Sequence, residues 1–180
     1  MNTFKYFSYG SNLLRERILV NNPSAVFYGI GKLIGYKLTF DTPKDLLENQ
    51  WYGAVATIRK VSEDHHVWGV VWSLHLENLS TLDEQETGYK AFNVSVLVNG
   101  QTVQCRTYEM FMETNGDKRP SPYYLKIVLE GARQNGLPEE YIRLLEAMEH
   151  NENMDPPPKY IKIKEVIERF RQQNALLPCN

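Results

Sequence analysis

The chain has 180 residues, with 20 basic against 22 acidic side chains, a net charge of -2, 42% hydrophobic and 23% charged residues. These are the proportions of one ordinary globular domain over residues 1–180, with 150–180 its least defined part. The basic residues gather only weakly (Lys162, Lys164, Arg169, Arg171), which argues against a nucleic-acid partner. No window approaches the roughly 18 apolar residues of a membrane helix. The N-terminus lacks the apolar core of a signal peptide. The chain is therefore expected to be cytoplasmic and to have no membrane partner, with Cys105 and Cys179 reduced.

In chain order, Phe4 to Tyr9 is aromatic enough for a strand. Gly10 breaks it, and Leu13, Leu14, Arg17 and Ile18 follow at helical spacing, with Ser11 or Asn12 available as N-cap. Strand-like runs come next at Ala25 to Gly31 and Leu33 to Phe40, where Gly35 marks a bulge or a close backbone approach. Asp41 to Gln50 is a polar surface loop, and Gly53 to Arg59 a short strand. Val67 to Leu74 is the most apolar strand and should be central, with Gly69 leaving room for a neighbour. Glu77 to Glu86 reads as a helix, capped by Asn78 or Ser80, with Leu79 and Leu82 inward.

Asn99-Gly100 then joins two strands, Ala91 to Val98 and Thr102 to Met110, in a hairpin. Glu113 to Arg119 is a polar loop. Ser121-Pro122 caps and opens a helix running to about Asn135, which Gly136 closes. Pro138 opens another. Asp155-Pro156-Pro157-Pro158 reads as a rigid, extended spacer before a short helix over 163–173. Roughly six strands, antiparallel where the hairpin signal speaks, with helices massed near the C-terminus, make the class α+β. A small, mixed, mostly antiparallel and partly closed β-barrel with flanking helices fits that order.

Little in the chain suggests a metal. The four histidines form no His-x-x-x-His, Cys-x-x-Cys is absent, and no glycine-rich nucleotide loop is present. Two stretches carry more. The Gly10 turn offers unpaired backbone N–H groups beside hydroxyl and amide side chains, which suits a carboxylate as well as it suits an ordinary helix cap. In Asp83-Glu84-Gln85-Glu86, Glu86 lies one turn beyond Leu82 on nearly the same stripe. Burial, the like charge of Asp83 and the helix C-terminus would all raise its pKa, as a general acid/base near neutral pH requires. The same run equally solvates a helix end. Of 11 tyrosines, Tyr6, Tyr9, Tyr89, Tyr108, Tyr123 and Tyr124 lie near element ends, where they could pack or line one polar pocket.

Tyr9-Gly10-Ser11-Asn12-Leu13 and Leu82-Asp83-Glu84-Gln85-Glu86 together resemble the gamma-glutamylcyclotransferase family, within the AIG2-like superfamily. The likeness extends over about residues 4 to 145, through Trp68-Gly69-Val70-Val71-Trp72, Cys105-Arg106-Thr107-Tyr108 and Ser121-Pro122-Tyr123-Tyr124. It implies a mixed α/β barrel-like fold, a homodimer and no cofactor, and the spacing of the histidines and cysteines points to no metal. The implied reaction cyclises gamma-glutamyl amino acids, releasing 5-oxoproline and the free amino acid. Its catalytic glutamate falls on Glu86. Its substrate-holding loop falls on Tyr9, Gly10, Ser11, Asn12 and Leu13, with Tyr6 just before it, and its pocket tyrosines fall on Tyr89, Tyr108 and Tyr124. The loop amides would clamp the substrate's α-carboxylate or stabilise the developing oxyanion. The alternatives are a cyclotransferase acting on gamma-glutamylamines or glutathione, and a binding module for a small carboxylated ligand.

Overall fold

The most apolar run in the chain becomes its central strand. The computed structural model describes residues 2–42, 50–111 and 116–175. In it β5 (His66–His75) lies between β1 (Thr3–Ser8) and β2 (Val26–Ile34), antiparallel to both. β6 (Tyr89–Val98) and β7 (Gln101–Met110) form the hairpin expected about Asn99-Gly100. β6 meets β2 at Gly31 and Lys32, and β7 meets β1 in parallel at Tyr6 and Arg106. Five strands thus close in the order β1-β5-β2-β6-β7. The barrel is mixed and mostly antiparallel, as the sequence suggests, and its closure is complete.

Gly69 explains how β1 and β5 come so close. A Cβ at that position would stand 2.2 Å from the Ser8 carbonyl oxygen and 2.7 Å from the Phe7 ring, so only glycine fits. Gly35 is not a bulge. It turns with φ 80° between β2 and β3 (Tyr36–Asp41), where the chain leaves the barrel. β3 pairs with β4 (Val55–Lys60) as a separate two-stranded sheet, and the strand irregularity falls instead between Phe27 and Gly29. Residues 43–49 and 112–115, which carry most of the first expected polar loop and the start of the second, lie outside the described residues, as does Cys179. Thr42 donates to the Asp117 carbonyl at 2.8 Å, so the bases of those loops adjoin.

The helices are α1 (Arg15–Leu19), α2 (Leu79–Gln85), α3 (Pro122–Gln134), α4 (Glu139–Glu146) and α5 (Pro158–Ala175). Ser121 caps α3 as expected, accepting from the Tyr124 N–H at 3.2 Å, with Pro122 as first helical residue. α3 lies directly against the segment that follows β1. A Cβ on Gly131 would fall 2.4 Å from the Leu14 nitrogen, and the Asn135 side chain donates to the Leu13 carbonyl at 2.8 Å. α5 is longer than the expected helix over 163–173. The last proline of the run is its first residue, because proline's fixed φ and missing N–H suit that position. Tyr160, Ile163 and Ile167, spaced for one helical face, are buried in the common core.

Candidate active site

β1 ends at Ser8, and a single 3-10 turn over Ser11–Leu13 precedes α1. Neither Ser11 nor Asn12 caps that helix: Leu14 holds the N-cap position, and no side-chain cap bond forms. Asn12 is instead buried and turned inward. Its amide donates to Glu86 Oε1 at 3.0 Å and to the Tyr6 hydroxyl at 3.1 Å, and Tyr6 donates to the same Oε1 at 3.3 Å. The loop is pinned from behind by Trp72, whose indole N–H lies 3.0 Å from both the Ser8 hydroxyl and the Asn12 carbonyl. The turn thus does not cap the helix; it presents Asn12 to a carboxylate.

Glu86 sits at the C-cap of α2, with φ -91° and ψ 34°. Leu82 beneath it is fully buried, which draws the helix end into the molecule. Burial pushes the Glu86 carboxyl above its ordinary pKa, against the pull of Arg17 and Lys159 and the hydrogen bonds from Tyr6 and Asn12. The expected like-charge contribution of Asp83 is replaced by another arrangement. Asp83 turns outward to Arg106, whose Nη2 lies 2.8 Å from both carboxylate oxygens, and accepts from Tyr108 at 2.5 Å. Two acids less than one helical turn apart thus take different partners.

One cavity of about 120 Å³ joins these parts. Gly10, Ser11 and Asn12 line it together with Glu86, Tyr6, Tyr9, Tyr89, Tyr108 and Tyr124. Most of the tyrosine hydroxyls are committed. Tyr9 donates to the Tyr108 carbonyl at 2.5 Å, and Tyr89 to the Ala56 carbonyl at 2.6 Å. Tyr124 accepts from the Ala56 N–H at 3.0 Å, with the Ser11 N–H also turned toward it, and burial pushes its own pKa up to about 12. These side chains are fixed, uncharged walls at neutral pH. Leu13 departs from the expectation. It is fully buried beside Gly131 and lies in the core below the loop, because the 3-10 turn faces its apolar side toward α3.

The cavity also takes Arg17, Trp51, Gln85 and Lys159, which sequence reasoning did not assign to it. Arg17 had a readable signal. It is a charged residue on the same helical stripe as Leu13, Leu14 and Ile18, and it is only 6% exposed. Burial holds its pKa below the usual value, with Glu86 acting in the opposite sense. Lys159 comes from α5, some 70 residues after Glu86, and nothing in the proline run before it points back to the loop. Three buried polar atoms of lining residues have no partner among the described residues: Asn12 Oδ1, Arg17 Nε and Gln85 Oε1. Two cations against one carboxylate leave the cavity positively charged. No cluster of three His, Cys, Asp or Glu side chains occurs among the described residues.

A family model of the AIG2-like family matches residues 66–145. The Bos taurus gamma-glutamylcyclotransferase is 44% identical over 156 residues, covering 83% of this chain and 81% of that protein. The Mus musculus gamma-glutamylcyclotransferase is 45% identical over the same shares. The chain belongs to the gamma-glutamylcyclotransferase family. A solved gamma-glutamyl cyclotransferase structure superimposes with a TM-score of 0.84 at 38% identity, over 93% of this chain and 99% of that one. The crystal structure of an uncharacterized protein from Homo sapiens gives 0.83 at 40% identity, over the same shares. The closed, mostly antiparallel barrel of this gamma-glutamylcyclotransferase family member is the barrel-like fold its two motifs imply.

Proposed function

We propose that the protein cyclises gamma-glutamyl amino acids, releasing 5-oxoproline and the free amino acid, with Glu86 as the general acid/base. The observation that carries this reading is the Glu86 carboxylate, fixed by Asn12 and Tyr6 inside the cavity formed with the Gly10–Asn12 loop. The substrate's α-nitrogen must attack its own side-chain amide carbonyl, a five-membered ring closure, so the site need only fold the glutamyl chain and move protons.

The proton count sets what Glu86 does. The α-nitrogen enters as an ammonium with three protons and ends as a lactam N–H with one. The amide nitrogen of the departing amino acid begins with one proton and leaves as an ammonium with three. Glu86 carries the two protons in turn: it takes one to free the attacking amine and returns it as the carbon–nitrogen bond breaks, then relays the second from the ring nitrogen. A carboxyl pushed upward by burial is suited to both halves of that cycle. Arg17 and the loop N–H groups supply positive potential for the α-carboxylate and for the oxyanion of the tetrahedral intermediate.

A pure binding module gains nothing from keeping an acid buried at a cost, which favours the enzyme. Glu86→Gln should bind the substrate and fold normally while losing about a hundredfold to ten-thousandfold in kcat, the order of effect seen for a positioned general acid/base. Formation of 5-oxoproline by that variant at a near wild-type rate, from gamma-glutamyl-alanine, glutathione or gamma-glutamyl-lysine, would remove Glu86 from the chemistry.

A further inference from the structure

The cyclotransferase reading uses Glu86, the loop and Arg17; it leaves Lys159 without a task. Lys159 is the second residue of α5 and lines the cavity wall. Its backbone N–H donates to the Gln50 carbonyl at 3.2 Å, which ties the start of the helix to the Trp51 segment. Its ammonium forms no ion pair among the described residues, and it lies 6.0 Å from the centre of the Trp51 ring. The side chain is only half-buried, whereas Arg17 is 6% exposed. Lys159 is therefore the outer of the two cations.

We propose that Lys159 is a specificity-determining residue that pairs with the carboxylate of the departing amino acid. The inference rests on the cyclotransferase reading and deepens it. A gamma-glutamyl amino acid brings two carboxylates and one ammonium, and the cavity presents two cations and one carboxylate. Ring closure requires the α-amine against Glu86. The α-carboxylate shares a carbon with that amine, so it stays at the inner end, with the loop and Arg17. The second carboxylate lies on the far side of the scissile amide, where the outer cation is. Burial, with Arg17 nearby, holds the Lys159 ammonium below its usual pKa while Glu86 opposes them, so a ligand carboxylate would relieve an unmatched charge. A gamma-glutamylamine lacks the second carboxylate and would leave Lys159 unpaired. The same residue thus separates two substrate classes.

The test compares gamma-glutamyl-alanine with gamma-glutamyl-ethylamine, which differs by that carboxylate alone, using the full chain. The wild type should favour the dipeptide. In Lys159→Gln the ratio of the two kcat/KM values should fall by about tenfold to a hundredfold, as expected for loss of one charge-assisted hydrogen bond, with the loss carried mainly by KM. Lys159→Arg should keep most of the ratio, and thermal melts of both variants monitor folding. An unchanged ratio in a folded Lys159→Gln variant, or equal losses on both substrates, overturns the proposal while leaving the cyclotransferase reading intact. A wild type inactive on both substrates overturns that reading, and the proposal with it.

Discussion

Glu86 is expensive to keep. Its carboxyl titrates above the ordinary glutamate value because burial outweighs two nearby cations and two hydrogen bonds. The folded state therefore holds a proton over a pH range where the unfolded chain has released it. Stability falls as pH rises through that window, and the penalty is complete above the raised pKa. Glu86→Gln should accordingly be more stable than wild type at neutral pH, and the gain should disappear as the pH drops below the ordinary glutamate pKa. Urea melts of the two proteins across that range would measure it; a gain that grew in acid would contradict the sign of the shift. The same residue was the most legible part of the site in sequence, since its place one turn beyond Leu82 already drew it inward. Its true neighbours were less legible. The adjacent Asp83 turned away to Arg106, and distant Lys159 took its place, because side-chain direction at a helix end depends on what packs beyond it.

Among the elements, α5 differs most from its expectation. Counting from Ile163 misses its first turn, where Pro158 serves as the opening residue and Lys159 enters the cavity. Its other end is clipped by Arg171, which reaches Glu16 at 2.9 Å and Glu130 at 2.5 Å. Burial raises the Glu16 pKa, but hydrogen bonds from Gln134 and Arg171 overcome it and hold the carboxyl below its usual value. That contribution is present above the ordinary carboxylate pKa and is lost as pH falls through the lowered one. Arg171→Ala should cost about 1–3 kcal/mol at neutral pH, since Glu16 stays buried with a partner missing, and the deficit should shrink in acid. Thermal or urea melts at two pH values would show both effects. By contrast α3 was readable at both ends, because Ser121, Pro122 and Gly136 act locally.

At the scale of the whole molecule, the barrel depends on how nearly β1 and β5 touch. The Gly69 position leaves 2.2 Å between a would-be Cβ and the Ser8 carbonyl oxygen. Because that neighbour is backbone, it cannot swing aside, and Gly69→Ala should cost about 3 kcal/mol or more, read from a denaturant midpoint. Closure itself was beyond the reach of periodicity. The strand pattern gives the faces of each strand, but the contact that closes the ring is one parallel bridge between Tyr6 and Arg106, and no local signal marks it.

That bridge also dictates when the protein can come into being. β1 is made before both of its partners, β5, where Tyr6 faces Trp72, and β7, where it faces Arg106. An emerging chain must carry the aromatic Tyr6-Phe7-Ser8-Tyr9 segment unpaired until β5 has been made, and the other edge of β1 stays open until β7 follows. Such distant pairings place folding among the slower topologies, on the order of milliseconds to seconds. Lys159 is added later still, so the full charge pattern of the cavity appears only once α5 has followed the barrel strands. During translation the chain is exposed to association through β1 until its partner strands have been made.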